Sequence, residues 1–365
     1  MVPLFLILKY LRVMSLLNRI FMSNSLWNLI NDLNKKSGIT EILINGPKNV
    51  FVERGGQFIQ LNANLPAEDI KAFIKEVADH NKKKCDSDNP IMDGNLPDGS
   101  RINIINEPFV SGSPAISIRK YLKYISSFDS NPTIFGVTPH WIDFLKALVV
   151  SKVNVVVSGG TGVGKTTFLN LLLNEIPKHE RVITIEDTLE LSTNMPNVVR
   201  LEAGSKIMES KSSLTTRDLV KNTLRMRPDR IIIGESRGGE LFDLLQAMNT
   251  GHDGSMTSVH SSSAGECLSR METLFLLAGF EIPMTVVRKQ MTSAIQFIIQ
   301  LGRDKEGNRV INEIIEVCGM EGPVMQIQTI ASREDGFLEF KGIAPKCMDR
   351  LHKESGLPLN FFENM

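Results

Sequence analysis

The chain has no net bias of charge and few aromatic rings. Lysine plus arginine equals aspartate plus glutamate, at 41 each, which removes any global attraction to nucleic acid and leaves only local basic patches. Phe, Trp and Tyr make up 6% of the residues, and no stripe of rings interleaved with basic side chains is present to stack the bases of a single strand. Cysteine is scarce: the four thiols, Cys85, Cys267, Cys318 and Cys347, stand far apart with no C-x-x-C spacing. That excludes a zinc ribbon and fits a reducing compartment. A long apolar run is missing too. The most apolar stretch, Pro3 to Leu8 continuing into Val13 to Met22, is interrupted by Lys9, Arg12, Asn18 and Arg19, whereas a bilayer span needs about 20 consecutive apolar residues. Three readings of this stretch stay open: an amphipathic helix on a membrane or partner, a packed N-terminal helix, or a start that truly lies at Met14 or Met22. What is present is ordinary globular composition, 42% hydrophobic and 22% charged, over a length that suits two domains.

Residues 1–24 form an N-terminal segment of uncertain order. Residues 25–130 read as an α+β domain. Glu41 to Ile44, the turn Asn45-Gly46-Pro47 and Asn49 to Glu53 give strand, turn, strand, and Arg54-Gly55-Gly56 turns into a third strand, Gln57 to Leu61. Pro66 to His80 is a helix whose Ile70, Phe73, Ile74 and Val77 share one face. Asn89-Pro90 and Pro97-Asp98-Gly99 are turns, and Arg101 to Ile105 and Ala115 to Arg119 are strands. Residues 131–140, with Asn131-Pro132 and Thr138-Pro139, read as a linker. In residues 141–365 helices alternate with β-branched runs, Val153 to Val157, Val182 to Ile185 and Arg230 to Ile233, which predicts an α/β domain with a parallel sheet. From about Gly322 the tail mixes short strand-like and helical pieces.

The chemistry concentrates in this second domain. Gly159-Gly160-Thr161-Gly162-Val163-Gly164-Lys165-Thr166 satisfies G-x-x-x-x-G-K-[ST] in full, between an apolar strand and a helix that starts near Thr167. Such a loop curls backbone N–H groups around phosphate oxygens at a helix N-terminus. Its lysine reaches the β- and γ-phosphates, and its hydroxyl ligates Mg²⁺. A P-loop requires an acidic partner at a neighbouring strand end. Arg230-Ile231-Ile232-Ile233-Gly234-Glu235 supplies Glu235, placed to orient or deprotonate the attacking water. A second strand ends in Glu186, Asp187 and Glu190; at least one of these faces Mg²⁺ or its waters, and the sequence leaves open which. His252 and His260 lie in the Gly/Ser/Thr-rich stretch Gly251 to His260, after a helix with Leu241, Leu244, Leu245 and Met248 on one face. A position near the γ-phosphate suits them. A zinc pair is the competing idea, but no cysteine or further histidine lies near.

The order of the phosphate loop, IEDTLEL, RPDRIIIGESRGGE and GHDGSMTSVH resembles the secretion-ATPase superfamily, whose Walker A, Asp box, Walker B and His box these motifs match. ITEILINGPKNVFVERGG, PIMDGNLPDGSRINI, ISIRKY and the closing FKGIAPKCMDRL are similar to its Tad (Flp) pilus branch. The resemblance covers roughly Ser25 to Phe362. It implies a RecA-like P-loop domain behind a smaller PAS-like α+β domain, a homohexameric ring, ATP and Mg²⁺ as cofactors, and a cytoplasmic place on the inner face of the inner membrane. It further implies peripheral membrane association through a platform protein. Arg101 and Arg119 fall on the family's basic positions and become candidates to complete the site, in cis or from a neighbouring subunit. Arg225, Arg227 and Arg237 are weaker candidates, with ordinary salt bridges as the competing role. Two departures are Asn95, where the family often has Arg, and Lys84-Cys85, where it often has Gly-Arg. The function implied is a motor for Tad/Flp pilus assembly or protein secretion. A conjugative type IV secretion ATPase and, further off, a nucleic-acid translocase are the alternatives.

Overall fold

The computed structural model describes residues 24–120, 127–130, 133–204 and 214–363. The apolar stretch within residues 1–23 lies outside them. The described residues divide into two compact units on either side of residues 121–126.

The first unit begins with α1 (Ser25–Lys35), an element the sequence reading did not place. Its start is set by Asn24, whose side chain accepts from the N–H groups of Leu26 and Trp27, two donors that a helix start otherwise leaves unpaired. The strands β1 (Ile39–Ile44), β2 (Val50–Arg54), β3 (Gln57–Leu61), β4 (Ile91–Asn95), β5 (Arg101–Ile105) and β6 (Ala115–Arg119) form one antiparallel sheet in the order β3-β2-β1-β6-β5-β4. Period-two alternation stacks isoleucines into rungs: Ile42, Ile118 and Ile102 align across three strands, as do Ile44, Ile116 and Ile104, and all six are buried. Those rungs are covered by α2 (Ala67–His80), with Ile70, Phe73, Ile74 and Val77 inward, and by α1, whose Trp27 ring lies 4.7 Å from Phe73. The sequence reading does not place β4, because Asn89-Pro90 before it and Gly94 within it mask an edge strand.

The second unit holds a nine-stranded sheet. Its parallel part comprises β7 (Val155–Gly159), β8 (Val182–Glu186), β9 (Val198–Glu202), β10 (Arg230–Ile233), β11 (Met256–His260) and β12 (Phe297–Arg303). It continues antiparallel through β13 (Arg309–Glu321), β14 (Val324–Glu334) and β15 (Phe337–Phe340), in the order β15-β14-β13-β12-β7-β11-β10-β8-β9. The central strands are apolar throughout because both faces are covered. On one face Val155, Val157 and Ile232 pack with α3 (Pro139–Val150) and α4 (Lys165–Asn174). On the other, Val156, Ile183 and Ile231 pack with α5 (Thr216–Thr223), α6 (Glu240–Asn249), α7 (Ala264–Leu276) and α8 (Met284–Ala294). The final helix is α9 (Met348–Ser355). At the foot of β10 the fully buried Arg230 makes a forked pair with Glu180, Nε to Oε2 at 2.6 Å and Nη2 to Oε1 at 3.0 Å, and donates to the Val149 carbonyl at 2.7 Å.

Two stretches depart from the sequence reading. Ahead of Gly322 lies the long strand β13, which the sequence reading does not place; register shifts near Ile314 and Val317 break the alternation that would reveal it, and the tail beyond it holds β14, β15 and α9. Within 131–140, residues 133–140 belong to the second unit: Phe135 and Val137 are buried, Phe135 meets Phe168 at 5.1 Å, and α3 begins at Pro139. Among the described residues, no helix is long and apolar enough to cross a membrane.

Candidate active site

Parallel register brings the C-terminal ends of β7, β8, β10 and β11 to one edge of the sheet, where α/β proteins bind ligands. Gly159 pairs with His260 and Ile233 with Ile185, so the loop after β7, the acidic stretch after β8, Glu235 after β10 and His260 at the end of β11 share that edge. The loop enters α4 through Gly164, whose φ is +94°. A side chain there is doubly excluded, since its Cβ would also lie 2.9 Å from Arg309 Cδ. Gly160, Thr161 and Gly162 are exposed on the loop, Val163 is buried beneath it, and Thr166 and Thr167 lie in the first turn of α4.

Lys165 is buried and folds back on its own loop. Its Nζ donates to the carbonyls of Gly159 (3.0 Å) and Gly160 (2.8 Å) and lies 3.2 Å from His260 Nδ1. Burial pushes the amine down to about 8, with Arg237 adding to the fall and Glu235 opposing it. His260 Nε2 meets Glu235 Oε1 at 3.0 Å. Burial, then the charge of Lys165, hold this histidine below its ordinary value, so it is neutral at pH 7. The partners assign the tautomer: Nε2–H donates to Glu235 and Nδ1 accepts from Lys165. Arg237 donates to Glu235 Oε2 at 2.8 Å and to Asp187 Oδ2 at 3.3 Å. Burial raises the Glu235 carboxyl, but the Arg237 hydrogen bond and charge, with His260 and Lys165, outweigh it and hold it below the usual glutamate range. A continuous string thus runs Asp187–Arg237–Glu235–His260–Lys165.

The remaining candidates take different places. Glu186 is buried and turned into its own loop: its Oε1 accepts from the N–H groups of Glu190 and Leu191, both at 2.8 Å. Burial raises it to about 7. One oxygen of Glu186 thus shapes the acidic loop while its Oε2 is buried without a hydrogen-bond partner among the described residues, and β8 carries residue 186 inward and Asp187 outward. Asp187 is exposed and also accepts from Thr216 at 3.2 Å; Glu190 is half-buried on the same loop. His252 is not brought to this edge. It precedes β11, its Nδ1 lies 3.3 Å from the Ala247 carbonyl, and the length of β11 separates it from Gly159 by about 13 Å at 3.3 Å per residue. Arg101 and Arg119 belong to the first unit, where they are cross-strand partners and Arg119 Nε meets Glu41 Oε1 at 3.1 Å.

Sequence reasoning missed the wall beside the first turn of α4. A cavity of about 450 Å³ opens there, lined in part by Phe135, Thr167, Asn308, Arg309 and Val310. The signal was available in Arg303 and Arg309 flanking an Asp-Lys-Glu-Gly-Asn turn, but nothing in the sequence ties that turn to the P-loop.

Residues 25–333 match the family described as type II/IV secretion system protein. A putative conjugal transfer protein of Mycobacterium tuberculosis is 30% identical, over 82% of this chain and 86% of that protein. The conjugal transfer protein TrbB of Rhizobium radiobacter is 32% identical over 81% and 89%, and the type IV secretion system protein VirB11 of Bartonella quintana 32% over 77% and 88%. Among solved structures, the Legionella pneumophila ATPase DotB matches with a TM-score of 0.56 at 20% identity over 80% of each chain. The pilus retraction motor PilT matches with 0.57 at 18% identity over 90% of this chain and 86% of that one. Those two likenesses show the fold: a RecA-like ATPase domain behind a smaller N-terminal domain. With a complete P-loop and its acidic partner at one sheet edge, the chain is a P-loop ATPase and belongs to the type II/IV secretion system protein family.

Proposed function

We propose that this ATPase is the motor of a conjugative or related type IV secretion apparatus. The observation that carries the reading is similarity along about four-fifths of the chain to conjugal transfer and type IV secretion proteins, joined to a P-loop in contact with its candidate base through His260. The Tad/Flp pilus reading rests on N-terminal and tail motifs; the curated relatives favour the conjugative one.

In this reading the phosphates of ATP enter the Gly159–Thr166 loop, and Lys165 exchanges the Gly159 and Gly160 carbonyls for the β- and γ-phosphates. The nucleoside occupies the cavity beside Thr167 and Phe135. Glu235 orients and deprotonates water, and His260, already between Glu235 and Lys165, links the base to the phosphate end. Glu190 stands on the acidic loop at the same edge. Mg²⁺ fits the donor set: a Thr166 hydroxyl and the Asp187 carboxylate are hard oxygens, and among the described residues no ready cage of three or more His, Cys, Asp or Glu exists. That matches an ion held by one or two protein oxygens plus substrate phosphates. Such an ion neutralises charge on the phosphate oxygens. Arg101 or Arg119, from the same chain or a neighbour in a homohexameric ring, supplies further positive charge. Closure on ATP then becomes the mechanical stroke against an inner-membrane platform, with the ring on the cytoplasmic face.

Deletion of the gene in its host tests the assignment. Loss of DNA transfer or type IV secretion, restored by wild type and not by Glu235→Gln, is expected. Intact transfer with loss of Flp-type pili would return the assignment to pilus assembly.

A further inference from the structure

Arg303 and Arg309 close the hairpin between β12 and β13 and are register partners across it. Like charges directly opposite on an antiparallel ladder disfavour each other, yet here each has its own target on the phosphate loop. Arg303 Nη2 donates to the Gly162 carbonyl at 3.0 Å, and its Nη1 donates to the Gly307 carbonyl at 2.6 Å. One guanidinium therefore ties the tip of the P-loop to the hairpin turn.

The turn is a firm anchor. Asp304 accepts from the Asn308 N–H at 2.7 Å and from the Asn308 amide at 3.0 Å, and its carbonyl accepts from the Gly307 N–H at 3.1 Å. Arg309 supports the other end of the loop, its aliphatic stem lying on Gly164. Both left-handed residues of the loop, Gly162 at φ +74° and Gly164 at φ +94°, are thus met by one arginine each. Glycines that give a loop this shape also cost the most entropy to order. An external brace holds the shape before the ligand arrives and reduces what binding must spend on ordering.

We propose that Arg303 is a positioning residue of the nucleotide site: it fixes the Gly162 peptide so that the loop's N–H groups already point at the incoming phosphate. This rests on the ATP reading above for the identity of the ligand. The planar fork suits the task because it reaches two carbonyls at once, whereas a lysine is a single point charge.

The test compares wild type, Arg303→Gln and Arg303→Lys as full-length protein. Two readouts are used: affinity for fluorescent ATP and ADP analogues with kcat at saturation, and amide hydrogen exchange of residues 160–164 without nucleotide. Expected for Arg303→Gln is a roughly tenfold weaker Kd for both nucleotides, kcat within about twofold of wild type, and faster exchange confined to the loop, with Lys failing to restore either. Unchanged loop exchange overturns the brace. A fall in kcat at unchanged Kd also overturns it, since the arginine would then act on the transition state. If wild type binds no nucleotide, the ATP reading falls, while the exchange comparison still decides whether Arg303 braces the loop.

Discussion

Lys165 and His260 meet nitrogen to nitrogen, with Nζ 3.2 Å from Nδ1 and 3.3 Å from Nε2. Two cations at that distance repel, so the contact persists because His260 stays neutral and accepts. Lys165 is thereby held folded on the loop's own carbonyls and linked to Glu235, and ATP binding must trade these contacts for phosphate.

That trade carries a pH signature. Burial puts Lys165 near 8, and phosphate favours the charged amine. Below about pH 8 the amine is already protonated, and binding takes up little. Above it the resting amine is neutral, so binding must take up a proton and affinity falls by up to about tenfold per pH unit. Titration calorimetry at pH 7 and 9 in buffers of different ionisation enthalpy should show proton uptake only at the higher pH. No uptake at either pH would mean that Lys165 is charged throughout.

Arg237 is the main group holding Glu235 low, through a hydrogen bond and its charge. Replacing it by Gln leaves burial to push the carboxyl up. The acid limb of the kcat profile should then move to higher pH, because Glu235 must be ionised to act as base. A limb that stays in place in Arg237→Gln would show that another group sets it.

The forked pair between Arg230 and Glu180 is buried at the foot of β10. Glu180→Ala leaves that guanidinium uncompensated and should cost about 3–5 kcal/mol, read as a lower urea midpoint for the second unit. Arg230→Met combined with Glu180→Leu should recover most of it. A midpoint shift within error for Glu180→Ala would mean that water solvates Arg230.

If Arg101 or Arg119 completes the site within a ring, specific activity should rise with protein concentration as light scattering reports assembly. Alanine at either position should lower kcat by about 10³ or more where it acts as an arginine finger. A fully active monomer, with both substitutions silent, contradicts the composite site.

The P-loop, Glu235 and the parallel sheet were legible because short-range rules determine them: glycines where the backbone turns left-handed, apolar β-branched strands between helices, a carboxylate at a strand end. His252 was not, since its place depends on the register of β11 against β7, which pairs His260 and not His252 with Gly159. Glu186 and Asp187 look alike in sequence, and only the inward or outward turn after β8 separates a loop-shaping carboxyl from an exposed one. The Arg303 brace was out of reach for a similar reason. Its partner, Gly162, lies 141 residues away and joins it only when β12 pairs with β7.

The central claim is hydrolysis of ATP at the Lys165 loop with Glu235 as base. Single-turnover measurement with radiolabelled ATP on wild type, Lys165→Ala and Glu235→Gln tests it most directly. The account predicts conversion to ADP by wild type and no retained nucleotide on Lys165→Ala. For Glu235→Gln it predicts ATP bound at near-normal affinity but hydrolysed about 10² to 10⁴ times more slowly. Wild-type turnover in either variant, or collapsed ATP affinity with surviving turnover in Glu235→Gln, would contradict it.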